Sequence, residues 1–161
     1  MEKKMKKRNK KYQPKTVVQN PLNFFLGGLK RIDAEHLTNL NVKNHAAMFK
    51  MTTGIGERTD WDLLVGASNM SVVICELHFD NQYHEMLITG RDALHAIGKR
   101  YLTKQKFIMT GDEMQSLNNM LEVHEAQLNA LRIIDVERAY DEVQRRLRHH
   151  INTKKVMEVT V

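Results

Sequence analysis

Apolar residues recur every three or four positions along most of this chain, the spacing that puts them on one face of a helix. The longest such run lies in the last third. Met114, Leu117, Leu121, His124, Leu128 and Leu131 alternate steps of three and four, and Val136, Ala139, Val143 and Leu147 continue the stripe after a step of five. Thr110 and Glu113 stand in the register of a capping box, in which each side chain satisfies the other residue's free backbone N–H. No Gly follows Gly111, and no Pro interrupts. The pattern predicts one continuous helix over residues 110–150, with the longer step a stutter in the stripe. The alternative is a second helix capped by Asp135.

Upstream the same spacing repeats in shorter blocks. Asn20 and Pro21 open a short segment ending at Gly27 and Gly28, whose adjacent Phe24 and Phe25 read as anchors to the bundle. Asp33 caps a helix to about residue 52, with Leu37, Leu40, Met48 and Met51 on its core side and Asn44 and His45 as a buried polar pair. Thr59 or Asp60 caps the next, to about residue 77. It carries Trp61, Leu64, Ala67, Met70, Val73, Ile74 and Leu77, apolar on much of its circumference, as a central helix must be. Asn69 lies in its middle and needs a hydrogen-bond partner if buried. After an Asp80–Asn81 turn, a helix over residues 82–101 directs Tyr83, Met86, Leu87, Leu94 and Ile97 inward, and Gly90 permits a close helix crossing. Residues 107–109 are briefly extended. The fold expected is all-α: a bundle of four to five helices with a long C-terminal helix and a disordered basic N-terminal arm. Residues 1–15 form the arm, 16–150 the bundle and 151–161 a tail.

A chain of 161 residues suits one domain with a real core. No apolar run approaches the ~18 residues of a membrane span. Cys75 is the only cysteine, which excludes an internal disulfide framework and fits a reducing cytoplasm. Ten Met suit an adaptable core or binding surface.

The net charge of +6 hides an asymmetry. Residues 1–15 hold eight Lys or Arg against one Glu, a net +7, so the remaining residues sum to −1. The expected contacts to nucleic acid or a partner are therefore Lys3, Lys4, Lys6, Lys7, Arg8, Lys10, Lys11 and Lys15, with Tyr12 available to stack on a base. Arg145, Arg146 and Arg148 form a second basic end, which either complements the helix dipole or reaches phosphate. Between the ends, residues 16–143 are mildly acidic.

Chemistry-bearing clusters are weak. Cys75, His78 and His84 match no common zinc spacing. Cys75 among apolar neighbours reads as a core residue, not a nucleophile. Glu113, Glu122, Glu125 and Glu137 do not form the Glu-x-x-His repeats of di-iron bundles. Gly54-x-Gly56 is a turn without the strand–loop–helix context of a phosphate loop. The expectation is no enzyme, no cofactor, no metal and no membrane.

Length carries a further expectation. Forty helical residues span roughly 60 Å, more than one small domain covers. Leu128, Leu131, Val136, Ala139, Val143 and Leu147 would then be a seam against a second copy, making a homodimer.

At Lys11-Tyr12-Gln13-Pro14-Lys15, Lys43-Asn44-His45-Ala46-Ala47-Met48 and Asn69-Met70 the chain resembles small bacterial proteins carried by prophages and plasmids, over residues 10–147. The resemblance carries no catalytic residue across. It implies a DNA-binding regulator, or an inhibitor that blocks a host enzyme or defence complex, although no clear helix–turn–helix signal is present. The function expected is that of a non-enzymatic accessory protein acting by protein–protein contact, with its basic ends assisting on nucleic acid. The alternatives are a DNA- or RNA-binding regulator using the Lys-rich arm, and a phage inhibitor.

Overall fold

The computed structural model describes residues 27–148. The Lys-rich arm, the segment with Phe24 and Phe25, and the tail lie outside the described residues. Those described form an all-α bundle of five helices: α1 (Ala34–Thr53), α2 (Arg58–His78), α3 (His84–Lys104), α4 (Gly111–Ala130) and α5 (Ile133–Arg148). None is long and apolar enough to cross a membrane.

Each helix boundary has a local cause. Asp33, in extended backbone, precedes α1. Gly54 ends it at φ 77°, a left-handed conformation that any Cβ would strain, while Ile55 N–H closes on the Lys50 carbonyl at 3.1 Å. The N-cap of α2 is Glu57, not Thr59 or Asp60. Asp60 sits three residues in and reaches back to accept Glu57 N–H at 2.9 Å. Asp80 and Asn81 both adopt positive φ in the turn before α3, a conformation that Asp and Asn tolerate better than most residues. The capping box of α4 forms as its sequence predicts, with Thr110 N–H on Glu113 at 2.9 Å and Glu113 N–H on Thr110 Oγ1 at 3.3 Å.

α2 is the central helix: it packs against each of the other four. Trp61, Leu64, Val65, Val72, Val73 and Ile74 are all buried. Its Asn69 is buried and hydrogen-bonded. Trp61 Nε1 donates to the Leu94 carbonyl at 3.1 Å, tying the start of α2 to α3. Phe107, from the segment before α4, stacks 4.2 Å from Tyr101 and 6.0 Å from Trp61 and closes that end of the core.

Four expectations are corrected. The long C-terminal helix is two helices, as the alternative reading had it, except that α5 begins at Ile133 and Asp135 lies in its first turn, not at its cap. Leu131 is extended, Arg132 pairs with Arg31 in an isolated antiparallel bridge, and Ile133 N–H donates to the Lys30 carbonyl at 2.9 Å. The backbone groups freed by the break are met by a strand-like segment from a hundred residues earlier. α5 thereby folds back onto α2. In consequence the expected dimer seam is core: Leu128, Leu131, Ala139 and Val143 are buried with Leu37, Val73 and Ile74, and Val136 and Leu147 pack against them. Asn44 is buried but His45 is exposed, so they are not a buried pair. Tyr83 and Met86 are exposed, as is the edge residue Leu40, where burial was expected.

Candidate functional site

The described residues offer three arrangements on which function could rest. The first is internal. Ser71 on α2 and His124 on α4 are both buried, with Ser71 Oγ 2.7 Å from His124 Nδ1. The pair invites comparison with an activated nucleophile, but the hydrogen bonding runs the other way. The Ser71 hydroxyl donates to the Ala67 carbonyl at 2.8 Å, so its oxygen accepts from Nδ1–H. An imidazole whose facing nitrogen carries the proton is not placed to remove one. Burial pushes His124 down to about 4, so the ring is neutral at pH 7. Gln127 completes the arrangement by donating Nε2–H to the Ser71 carbonyl at 3.1 Å. These bonds clasp α2 to α4.

The sequence-predicted sites fare differently. Cys75 is fully buried, and burial pushes its thiol up, away from thiolate. Cys75, His78 and His84 do not converge; among the described residues no three His, Cys, Asp or Glu side chains are placed to hold a metal ion. Of the C-terminal arginines, Arg146 is turned inward. Arg146 donates to Glu76 at 2.8 Å and to Glu142 at 2.7 Å, with the Arg146 and Glu76 side chains only 12% and 11% exposed. Arg145 makes two bonds of 2.7 Å to Glu142, and the two guanidiniums, Arg145 foremost, hold that carboxyl down to about 2. Arg146 thus ties α5 to α2 through Glu76, its charge already met there, while Arg145 pairs within α5 and keeps half of its side chain exposed. Arg148 is exposed.

The second arrangement is the outer face of α1. Val42 is 60% exposed, Phe49 64% and, just past the cap, Ile55 66%. Residues 42 and 49 are two turns apart, and exposed Ala46 lies between them, so they form one stripe. Lys43 lies beside it; Lys50, also at the edge, is paired with Asp60 at 3.0 Å, and His45 lies 4.0 Å from Glu125.

Comparison with protein-family models, curated proteins and solved structures returned no match.

The third arrangement is a groove between α4 and the start of α3. Two adjoining cavities of about 410 and 430 Å³ share Gln82, Tyr83, Met86 and Asn119. One end is walled by Phe79, Val123, Ala126 and Gln127, the other by Glu85, Thr89 and Ser116. Sequence periodicity placed Tyr83 and Met86 in the core because they fall on the inward stripe of α3. In the fold that stripe runs past the edge of α4, and the two side chains line an open cleft. The α1 face was legible in principle, since Val42 and Phe49 lie off the stripe set by Leu37, Met48 and Met51.

Proposed function

We propose that this is a non-enzymatic accessory protein of the kind carried by bacterial mobile elements, working in the cytoplasm by binding another protein through the outer face of α1. The observation that carries this reading is the exposed row of Val42, Phe49 and Ile55. Scattered apolar residues are ordinary on a surface, but three large ones on one continuous face mark an interaction site. Covering each contributes roughly 1.5–3 kcal/mol, enough together for a specific contact. Lys43 at the edge adds a preference for a partner carboxylate beside the apolar contact. An inhibitor of a host enzyme or defence complex would use this face to occupy a contact its target needs for something else.

The Lys-rich residues 1–15 favour a second reading, contact with nucleic acid, because their net +7 releases counterions without reading sequence.

The two readings separate in one set of experiments on full-length protein. Affinity capture from bacterial lysate should retain a partner that the V42D/F49D variant loses. Light scattering distinguishes that partner from a second copy. Binding to duplex DNA and RNA should weaken steeply between 50 and 200 mM salt and fall with Lys-to-Gln replacement in residues 3–15. If capture is identical for both proteins, the α1 reading fails; if nucleic-acid binding is absent at low salt, the second fails.

A further inference from the structure

Three side-chain amides, an apolar wall and two carboxylates meet in the groove between α3 and α4. Gln127, only 1% exposed, lines its apolar end beside Phe79, Met86 and Val123. Its Nε2–H is engaged with the Ser71 carbonyl, while its Oε1 accepts no hydrogen bond. A buried acceptor left unmet is costly, so a donor is called for beside it. Asn119, shared by both cavities, accepts from Gln115 through Oδ1 at 2.8 Å, and among the described residues its own amide hydrogens have no acceptor. Exposed Gln82 adds a third amide from the turn before α3. The charged lining is acidic throughout: Glu85 stands on the α3 wall and Glu122 on the α4 wall, and no Lys or Arg lines either cavity. Among the described residues neither carboxylate has an ion-pair partner. Along α4 the groove runs from residue 116 to residue 127, roughly 17 Å at 1.5 Å per residue, the length of about five extended residues.

We propose that this groove is a second docking site, for an extended segment of a partner protein that carries a large apolar side chain with a Lys or Arg within three residues of it. Each feature of the walls selects a feature of the segment. An extended backbone presents an N–H and a C=O at almost every residue, and each needs a partner once water is excluded. Side-chain amides meet both needs: Gln127 Oε1 takes an N–H, Asn119 donates to a C=O, and Gln82 does either. A helix, whose backbone groups are paired internally, would leave these amides unmet. Phe79, Met86, Val123 and Ala126 receive the apolar side chain, and Met86, unbranched and flexible, adapts to its shape. Glu85 and Glu122 favour a cation at the rim and reject an acidic segment. A small amine would satisfy the carboxylates but leave the apolar wall and the amides unused. This contact is separate from the α1 face and does not rest on the reading of that face.

A displayed library of random heptapeptides, selected on the full-length protein, tests the site without a known partner. Selected sequences should share a Leu, Ile, Met or Phe with a Lys or Arg within three positions. Binding of the strongest synthetic peptide, read by fluorescence anisotropy, should weaken at least tenfold in E85K/E122K. It should weaken as much in A126W, whose indole fills the apolar end. All three positions are exposed, so both variants should keep the wild-type Tm. V42D/F49D should bind the peptide like the wild type, which separates this site from the α1 face. With ¹³C-methyl-labelled Met, the peptide should shift the Met86 resonance and leave those of Met48 and Met51 in place. Absence of enrichment, an unmoved Met86 signal, or undiminished binding by either groove variant overturns the proposal. Displacement of the peptide by an equal concentration of a plain diamine overturns it by assigning the groove to small amines. A wild type that doubles its mass in light scattering, where A126W does not, overturns it by assigning the groove to a second copy.

Discussion

Ser71 Oγ and His124 Nδ1 lie 2.7 Å apart in the core between α2 and α4. The ring is buried, and burial depresses its pKa to about 4 from an ordinary 6.5. Between those values the unfolded chain binds a proton that the folded chain refuses. Stability is therefore unaffected by this group above about pH 6.5 and falls as pH drops from there toward 4. One and a half pH units in that window correspond to about 2 kcal/mol. Urea unfolding at pH 7 and pH 5 should show the wild type losing about that much more than H124Q, which has nothing to titrate. Parallel losses would mean that the ring is not held neutral by its surroundings.

A close approach of helices makes the second prediction. A Cβ added at Gly90 would meet Met120 Cβ at 2.7 Å, an atom fixed to the backbone of α4, whereas one added at Gly66 on α2 meets nothing within 4 Å. G90A should destabilise by about 1–3 kcal/mol despite alanine's better helix propensity, because α3 and α4 must part. G66A should stabilise by about 0.5–1 kcal/mol, through propensity alone. Thermal unfolding of the two variants should move Tm in opposite directions. Equal shifts would show that Gly90 is not a spacer.

Much of this fold was legible in the sequence because helix signals are local. The spacing from Met114 to Leu131 and the Thr110–Glu113 box specify α4, and the apolar girth of α2 marks it as central. What escaped depends on distant residues. The break at Leu131 and Arg132 has no Gly or Pro; it is stabilised by Lys30 and Arg31, and its traces in the sequence were the five-residue step in the stripe and the acidic Asp135 just after it. The charge of Arg146 looked available for phosphate because its partner, Glu76, is seventy residues away. The groove escaped for the same reason, since the inward face of one helix becomes a cleft wall only where its neighbour ends.

The Arg146–Glu76 pair yields a third prediction. Both side chains are mostly withdrawn from water, so removing the guanidinium takes from the Glu76 carboxylate the donor it holds at 2.8 Å, while Glu142 keeps its two bonds from Arg145. R146A should cost roughly 1.5–3 kcal/mol, the scale of hydrogen bonds to charged groups. R148A, at an exposed position, should stay within about 0.5 kcal/mol. Guanidinium denaturation is a poor probe, because the salt itself screens ion pairs, so urea is the denaturant to use. A neutral R146A would return that arginine to the pool of surface contacts.

The α1 face separates stability from binding. Val42 and Phe49 are already in water in the folded chain, so V42D/F49D should change unfolding free energy by no more than about 1 kcal/mol, with part of that from the lower helix propensity of Asp. The same charges placed in an apolar contact would have to be desolvated on binding, and a complex through this face should weaken at least a hundredfold. The conservative V42T/F49Y variant keeps shape while adding hydroxyls and should retain most of the affinity. A variant that unfolds early would show that these side chains support α1 from outside. One that is fully stable and still captures the same partner would show that the exposed row is only surface. The combination of unchanged Tm and lost partner is the outcome that α1, with its exposed row of Val42 and Phe49, is built to give.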